Sequence, residues 1–140
     1  MKKIISVFSF VFALLFLIQM TALAAQPSND SIQGNNCAGA SMSFSISTNG
    51  QADVDVYYCG INNVTSGATI DVVIKKNTFL FFWSTVVDES YNISQVTYYD
   101  MYSYDLSSNG SGTYKCFVTY TISGSGGADD VIPFEDTASY

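Results

Sequence analysis

The sequence predicts an all-β protein, an antiparallel β-sandwich of about seven strands. Apolar and polar residues alternate along most of residues 40–122. This is the period of half-buried strands, and no helical period of about 3.6 residues appears there. Turn residues such as Gly, Asn and Ser recur at intervals of about 8–12 residues, which is typical of sandwiches. The two prolines, Pro27 and Pro133, lie outside the strongest runs and interrupt no central strand.

Residues 1–24 have the three parts of a secretory signal peptide. Lys2 and Lys3 precede an apolar stretch, and the segment ends with small residues at Ala22 and Ala24. We therefore expect cleavage after Ala24 and a secreted, extracellular product. The alternative is an uncleaved membrane anchor, which is less favoured because the apolar run is shorter than the roughly 20 residues of a membrane span.

The composition excludes several classes of function. The chain has no His and no Arg, so it lacks the usual general base, the commonest zinc ligand and the bidentate carboxylate clamp. We therefore expect no enzymatic activity, no metal and no cofactor. After signal cleavage three lysines remain against twelve acidic residues. Nucleic-acid binding needs basic charge and is excluded, and binding to an anionic membrane surface is disfavoured.

Residues 25–39 are polar and predict a flexible leader, and the sandwich domain is expected to span residues 40–140. Its first two strands form a hairpin. We predict a three-residue loop over 49–51, because it places Ile46 beside Val54 and keeps both on the buried face. The apolar faces of the two strands are then Met42, Phe44 and Ile46, followed by Val54, Val56 and Tyr58.

A third strand is predicted over residues 68–75, followed by a turn at residues 76–78. The fourth strand, predicted over residues 79–87, is apolar on both faces, so one of them has to lie outside the core. We expect either that loops or the C-terminal tail cover this outer face, or that it is an exposed patch that binds a partner or a second copy. The side chains proposed for binding there are Val73, Leu80, Phe82 and Val86.

The second half of the chain completes the sandwich. A Tyr-rich run over residues 96–106 predicts a fifth strand, or two short ones, because Asp100 interrupts its apolar face. The alternation over residues 114–122 predicts a sixth strand. Residues 131–134 predict a short strand at the edge.

Tyr114 and Cys116, at the head of the sixth strand, resemble the start of strand F in immunoglobulin-like domains. There a Tyr two residues before a core Cys donates its hydroxyl to the backbone, an arrangement called the tyrosine corner. Trp83 lies between Cys59 and Cys116, which matches the order of these residues in immunoglobulin domains. We therefore expect an immunoglobulin-like sandwich in which Trp83 and Tyr114 are structural residues.

A further resemblance covers the chain from Ala40 to about Ile122. It is carried by Lys75-Lys76 at a strand end, Trp83-Ser84-Thr85-Val86, and Gly112-Thr113-Tyr114-Lys115 before alternating Val118 and Tyr120. These segments resemble a family of small uncharacterised secreted proteins of Gram-positive bacteria. The resemblance implies a β-sandwich and export, and it implies no substrate.

Three cysteines in an exported chain predict one disulfide and one remaining thiol. Cys37–Cys59 is slightly favoured, because both side chains have the solvent-side parity in the predicted register. Cys59–Cys116, the link between sheets that is typical of immunoglobulin domains, is the alternative.

The predicted function is a secreted non-enzymatic module that acts by surface contact, with an extracellular or cell-surface protein or with itself. One alternative is a small carbohydrate-binding module, in which Tyr57, Tyr99, Met101 and Trp83 form a platform for sugar rings. Tyr is also common at half-buried strand positions without such a role. A toxin-type or antibacterial protein is a further alternative. We expect no nucleic-acid partner and, after signal cleavage, no membrane partner.

Overall fold

The computed structural model describes residues 34–140, which form a sandwich of two antiparallel sheets. Strong period-2 alternation gives seven strands in this part of the chain. They are β1 (Cys37–Ile46), β2 (Gln51–Gly60), β3 (Thr65–Phe79), β4 (Phe82–Ile93), β5 (Thr97–Asp105), β6 (Thr113–Gly124) and β7 (Asp130–Ser139). A single turn of 3-10 helix, Ser107–Asn109, lies between β5 and β6. The predicted all-β sandwich is confirmed.

One sheet has the order β1-β2-β5 and the other the order β4-β3-β6-β7, with every neighbouring pair antiparallel. In a constant-type immunoglobulin domain the fourth strand lies in the same sheet as the first two. Here β4 pairs with β3 instead, so the hairpin that they form belongs entirely to the four-stranded sheet. Within residues 34–140 no helix has the length and apolar character needed to cross a bilayer.

The core lies between the inward faces of the two sheets. Alternate residues of β2, β3 and β6 point into it, because a strand presents every second side chain to one face. The fully buried side chains from these three strands are Ala52, Val54, Val56, Tyr58, Ile70, Val72, Ile74, Tyr114, Cys116, Val118, Tyr120 and Ile122.

The β1–β2 hairpin has the predicted buried face but a different loop. Ile46 pairs with Ala52, whereas the predicted partner was Val54. A shift of two residues leaves every side chain on its original face, because the side-chain period is two. The Ser47 N–H donates to the Gln51 carbonyl oxygen at 2.8 Å, so the loop comprises residues 48–50, one position earlier than predicted.

Tyrosines close the side of the sandwich where β4 and β5 are the edge strands. Tyr91 of β4 stacks on Tyr102 of β5 with ring centroids 4.0 Å apart, and the hydroxyls of Tyr91 and Tyr104 lie 3.0 Å apart. Asp100 does not split β5, which is a single strand. Asp100 is exposed to solvent, which accommodates its charge, and its carboxylate accepts the Tyr98 hydroxyl proton at 2.7 Å.

Asn36 anchors the chain just before β1. Its side chain is fully buried. The amide nitrogen donates to the Ala128 carbonyl oxygen at 2.9 Å, and the amide oxygen accepts from the Gly126 N–H at 3.0 Å. The Asp130 carboxylate accepts the backbone N–H groups of Asn35 and Asn36. Residues from both ends of the domain are therefore held together.

The predicted flexible leader of residues 25–39 therefore ends earlier than expected, because β1 already begins at Cys37. The predicted signal peptide, residues 1–24, and the first part of the leader lie outside the described residues.

Candidate functional site

The β3–β4 hairpin differs from the prediction in the position of its turn. The turn was predicted at residues 76–78, but β3 continues to Phe79 and pairs directly with Phe82. Leu80 and Phe81 form the two-residue turn. Leu80 has a φ of +48°, a left-handed conformation that Gly normally provides in such hairpins. The predicted fourth strand over residues 79–87 is therefore wrong for residues 79–81, which are the last residue of β3 and the two-residue turn.

Four consecutive apolar side chains stand in solvent at this hairpin end. Phe79 is 64 % exposed, Leu80 66 %, Phe81 89 % and Phe82 67 %. We call these four residues the apolar tip. Isolated exposed apolar residues are common on protein surfaces, but a contiguous group typically marks an interaction site.

The hairpin that carries the apolar tip extends beyond its own sheet. Pairing of β3 with β6 ends at Lys76, whereas pairing of β3 with β4 continues for another three residues, to Phe79. This extension is about 10 Å long at the rise of an extended strand. Two side-chain bonds brace it, since the Asn77 amide donates to the Leu80 carbonyl oxygen at 3.0 Å and the Thr78 hydroxyl to that of Phe82 at 3.1 Å.

All three lysines of the described residues lie immediately behind the apolar tip. Lys75 and Lys115 are directly opposite each other on neighbouring strands. Like charges in this position repel one another. Lys115 is paired with Glu135, whereas Lys75 has no ion pair within residues 34–140. We call Lys75, Lys76 and Lys115 the lysine cluster of the hairpin.

A cleft of about 460 Å³ opens beside the hairpin between β3, β4 and the β5–β6 loop. Lys76 enters it and donates to the carbonyl oxygens of Asn109 and Gly110, the latter at 3.0 Å. An ammonium group has three donors, so one remains for another acceptor. No acidic side chain lines the cleft, whose lining residues are Lys76, Asn77, Thr78, Ser84, Val86, Asn109 and Ser111.

Trp83 lies next to the apolar tip and not in the core. It pairs with Asn77, which places it on the outer face of the four-stranded sheet. The Lys115 ammonium nitrogen is 5.3 Å from its ring centroid, a cation–π contact. The predicted structural role of an immunoglobulin core Trp is therefore wrong for this residue, because the shifted turn places it on the opposite face.

The other residues predicted to bind with Leu80 and Phe82 are not part of one face with them. Val73 is half-buried on the outer face, between Asp88 and Phe117 on the adjacent strands. Val86 is half-buried and packs against the core. A register irregularity between Ile74 and Lys75 turns Val86 inward, as β-bulges do.

Tyr114 is fully buried, and its hydroxyl donates to the Gly110 carbonyl oxygen at 2.5 Å. This is the geometry of a tyrosine corner. Burial raises the pKa of Tyr114 to about 12.

The three cysteines are free thiols in the structure, so neither predicted disulfide is formed. A register shift between Cys37 and Gly39 places Cys37 opposite Gly60 on the core face, where it is buried. Cys59 keeps the outward parity, so the parity argument for the Cys37–Cys59 link was wrong. Cys116 is buried in the other sheet, and the outward Cys59 faces away from it. Burial raises the pKa of Cys116 to about 12.

Three of the four side chains that were predicted to form a carbohydrate platform lie on one surface. Tyr57 and Tyr99 are directly opposite each other on the outer face of the three-stranded sheet, next to Met101. Tyr99 is 69 % exposed and its hydroxyl donates to Asp55 at 3.3 Å. Trp83 is on the other sheet and cannot join this surface.

Sequence reasoning proposed Leu80 and Phe82 for binding but missed the turn that exposes them together with Phe79 and Phe81, because this turn has none of the usual turn residues. A run of four apolar residues, Phe79–Phe82, contains no Gly, Asn or Asp, although the turn needs a positive φ. One signal was available. Lys75 and Lys76 followed by Asn77 and Thr78 could have been read as the polar end of a strand that continues into an exposed hairpin.

No protein-family model, no curated protein and no solved structure was found to match this chain.

Proposed function

We propose that this protein is a secreted, non-enzymatic module that acts by surface contact, and that the contact is made by the apolar tip. The observation that supports this most is the exposure of four adjacent large apolar side chains on a braced hairpin. The signal-peptide pattern of residues 1–24 supports export. The absence of His and Arg from the chain supports a role without proton transfer or a carboxylate clamp.

The energies indicate how strong such a contact can be. Burying a large apolar side chain contributes about 1.5–3 kcal/mol, so four contribute roughly 6–12 kcal/mol. Association costs about 4–15 kcal/mol in lost freedom of motion. These ranges overlap, so the apolar tip alone supports weak binding at most. A second source of affinity is required, and the lysine cluster, which lies immediately behind the apolar tip, can supply it.

The proposal is tested by binding of the purified, fluorescently labelled protein to intact cells, and by its self-association in size-exclusion chromatography. Phe81→Asp is expected to abolish whichever of the two the wild type shows. Val131→Asp is the matched control, because Val131 is 63 % exposed on β7, away from the tip. Equal behaviour of wild type, Phe81→Asp and Val131→Asp in both measurements would disprove the proposal.

A carbohydrate-binding module is the second candidate. The support for it is the exposed pair Tyr57 and Tyr99, with Asp55 hydrogen-bonded to the Tyr99 hydroxyl. Sugar rings stack on such aromatic faces and donate hydroxyl protons to neighbouring carboxylates. Retention by insoluble polysaccharides that Tyr99→Ala abolishes and Phe81→Asp leaves unchanged would favour this candidate over the first.

A further inference from the structure

We propose that the apolar tip inserts into the surface of a lipid bilayer that contains anionic phospholipids. The proposal rests on the proposed function and names the occupant of the tip. The apolar tip is convex and projects beyond the sheet. A protein partner would therefore need a groove that is complementary to this shape. A bilayer accepts any convex apolar element whose backbone is internally hydrogen-bonded.

The order of side chains along the hairpin matches the order of layers in a bilayer surface. The apolar tip comes first, with side chains 64–89 % exposed. Trp83 follows, half-exposed on the outer face, and Trp is enriched at the boundary between lipid and water. The lysine cluster comes last. Lys76 lies three residues before Phe79, about 10 Å along a strand. Interfacial elements bury their apolar face about 5–10 Å deep, which would bring the lysines to the phosphates.

Charge complementarity favours an anionic surface. The described residues contain three lysines, and all three lie at this hairpin, although the whole chain has twelve acidic residues. Lys75 and Lys115 face each other across neighbouring strands, and only Lys115 has a carboxylate partner, Glu135. The Lys75 ammonium lies 5.3 Å from the Phe117 ring centroid and has no carboxylate partner among residues 34–140, so it is available to bind a lipid phosphate.

The cleft beside the hairpin has the lining that a phosphate headgroup needs. Lys76 has one ammonium donor left after its bonds to Asn109 and Gly110. Hydroxyl and amide groups of Thr78, Ser84 and other residues surround it, and no carboxylate is among them. Membrane binding was disfavoured above from the net charge alone. That argument fails locally, because electrostatic attraction near a surface acts within about one Debye length, roughly 8–10 Å.

Trp83 is the only Trp of the chain, so its fluorescence reports directly on this site. The experiment titrates the purified protein with vesicles of phosphatidylcholine, and with vesicles in which phosphatidylglycerol replaces part of it. We expect a blue shift of the emission with the anionic vesicles and quenching by brominated acyl chains. Sedimentation of the vesicles gives the partition coefficient.

Two sets of variants separate the contributions. Phe81→Ser should lower partitioning roughly tenfold or more, and Val131→Ser should leave it unchanged. Lys75→Gln combined with Lys115→Gln should lower it by about thirtyfold on anionic vesicles and leave it unchanged on phosphatidylcholine. Leu80→Gly removes a tip side chain while it relieves the left-handed strain, so its weaker binding cannot be ascribed to unfolding. Every variant is the product expected after cleavage at Ala24, so the apolar segment of residues 1–24 does not contribute to partitioning.

Three results would overturn the inference. They are no partitioning of the wild type onto anionic vesicles, partitioning that Phe81→Ser does not weaken, and partitioning equal on neutral and anionic vesicles. If the wild type does not partition but still binds cells through Phe81, the occupant of the tip is a protein. In that case the lipid inference fails and the proposed function stands.

Discussion

At the residue scale, buried polar groups decide where the chain is held in place. Asn36 is fully buried although it directly follows a segment that is polar and unpatterned. Its side chain bonds to the backbone of the β6–β7 loop, and its carbonyl oxygen accepts the Thr65 hydroxyl proton at 2.5 Å. No local sequence pattern shows this, because the partners lie as many as 92 residues away.

Asn36→Ala should destabilise the protein by about 1–3 kcal/mol, because it removes a fully buried amide and its two hydrogen bonds, to the Gly126 N–H and to the Ala128 carbonyl oxygen. Urea unfolding followed by circular dichroism measures the change. Asn35→Ala is the control. Asn35 is exposed and contributes its backbone N–H to Asp130, which the substitution keeps. A loss below about 0.5 kcal/mol for Asn36→Ala would show that the amide is not a structural anchor.

The three thiols should differ in reactivity. Cys59 is half-exposed, whereas Cys37 and Cys116 are buried, and burial raises the pKa of both buried thiols. A maleimide reagent should therefore modify Cys59 in the folded protein, and all three in urea. Mass spectrometry of the labelled peptides identifies the sites. Non-reducing peptides that contain a Cys37–Cys59 crosslink would contradict the free thiols of the structure.

At the element scale, the turn of the β3–β4 hairpin carries an exposed apolar residue at a position whose backbone conformation favours Gly. A two-residue hairpin turn with a positive φ favours Gly, and Leu80 occupies that position. A large residue there is strained, and strained backbone clusters at functional sites. The pairing of Phe79 with Phe82 and the bonds from Asn77 and Thr78 hold the conformation.

Leu80→Gly should stabilise the protein by about 0.5–1 kcal/mol, because relief of the left-handed strain exceeds the entropy that Gly adds to the unfolded chain. Thermal unfolding measures the effect. Phe81→Gly is the matched control, since Phe81 is not at a positive φ and gains no such relief. Its expected change is a loss of similar size. Destabilisation of the protein by Leu80→Gly would refute the assigned turn.

At the scale of the whole molecule, tyrosines lie both in the core and along the side of the sandwich where β4 and β5 are the edge strands. Burial raises the pKa of Tyr58 and Tyr114 to about 12. Burial also raises the pKa of Tyr98, Tyr104 and Tyr120 above the ordinary value. These phenols are protonated in the folded protein at pH values where they ionise in the unfolded chain.

Stability should therefore fall at alkaline pH. A raised pKa in the folded state contributes stability that is fully present below the unfolded value of about 10, and that is lost as pH rises toward about 12. The melting temperature should be constant from neutral pH to about pH 9 and then drop steeply. Tyrosinate absorbance should rise together with unfolding. Complete ionisation of all tyrosines near pH 10 in a protein that remains folded would contradict the burial of Tyr58 and Tyr114.

Most of the fold could be predicted from the sequence, and most of the candidate site could not. The class, the strand number and the inward faces of β2, β3 and β6 follow from alternation. Turn and bulge positions do not. The turn at Leu80 and the shift at Cys37 depend on which cross-strand pairs form, and they moved Trp83, Val86 and Cys37 to other faces.

The sequence by itself determined which residues of β2, β3 and β6 avoid water, because apolar and polar side chains alternate along these strands with the two-residue period of a pleated strand. It also determined the overall acidity and the lack of His and Arg. The tertiary structure decided which of the residues that depart from this pattern lie close together. Only pairing between strands gathers Lys75, Lys76 and Lys115 behind four apolar residues. A net charge sums over the chain without position, whereas electrostatic attraction depends on distance.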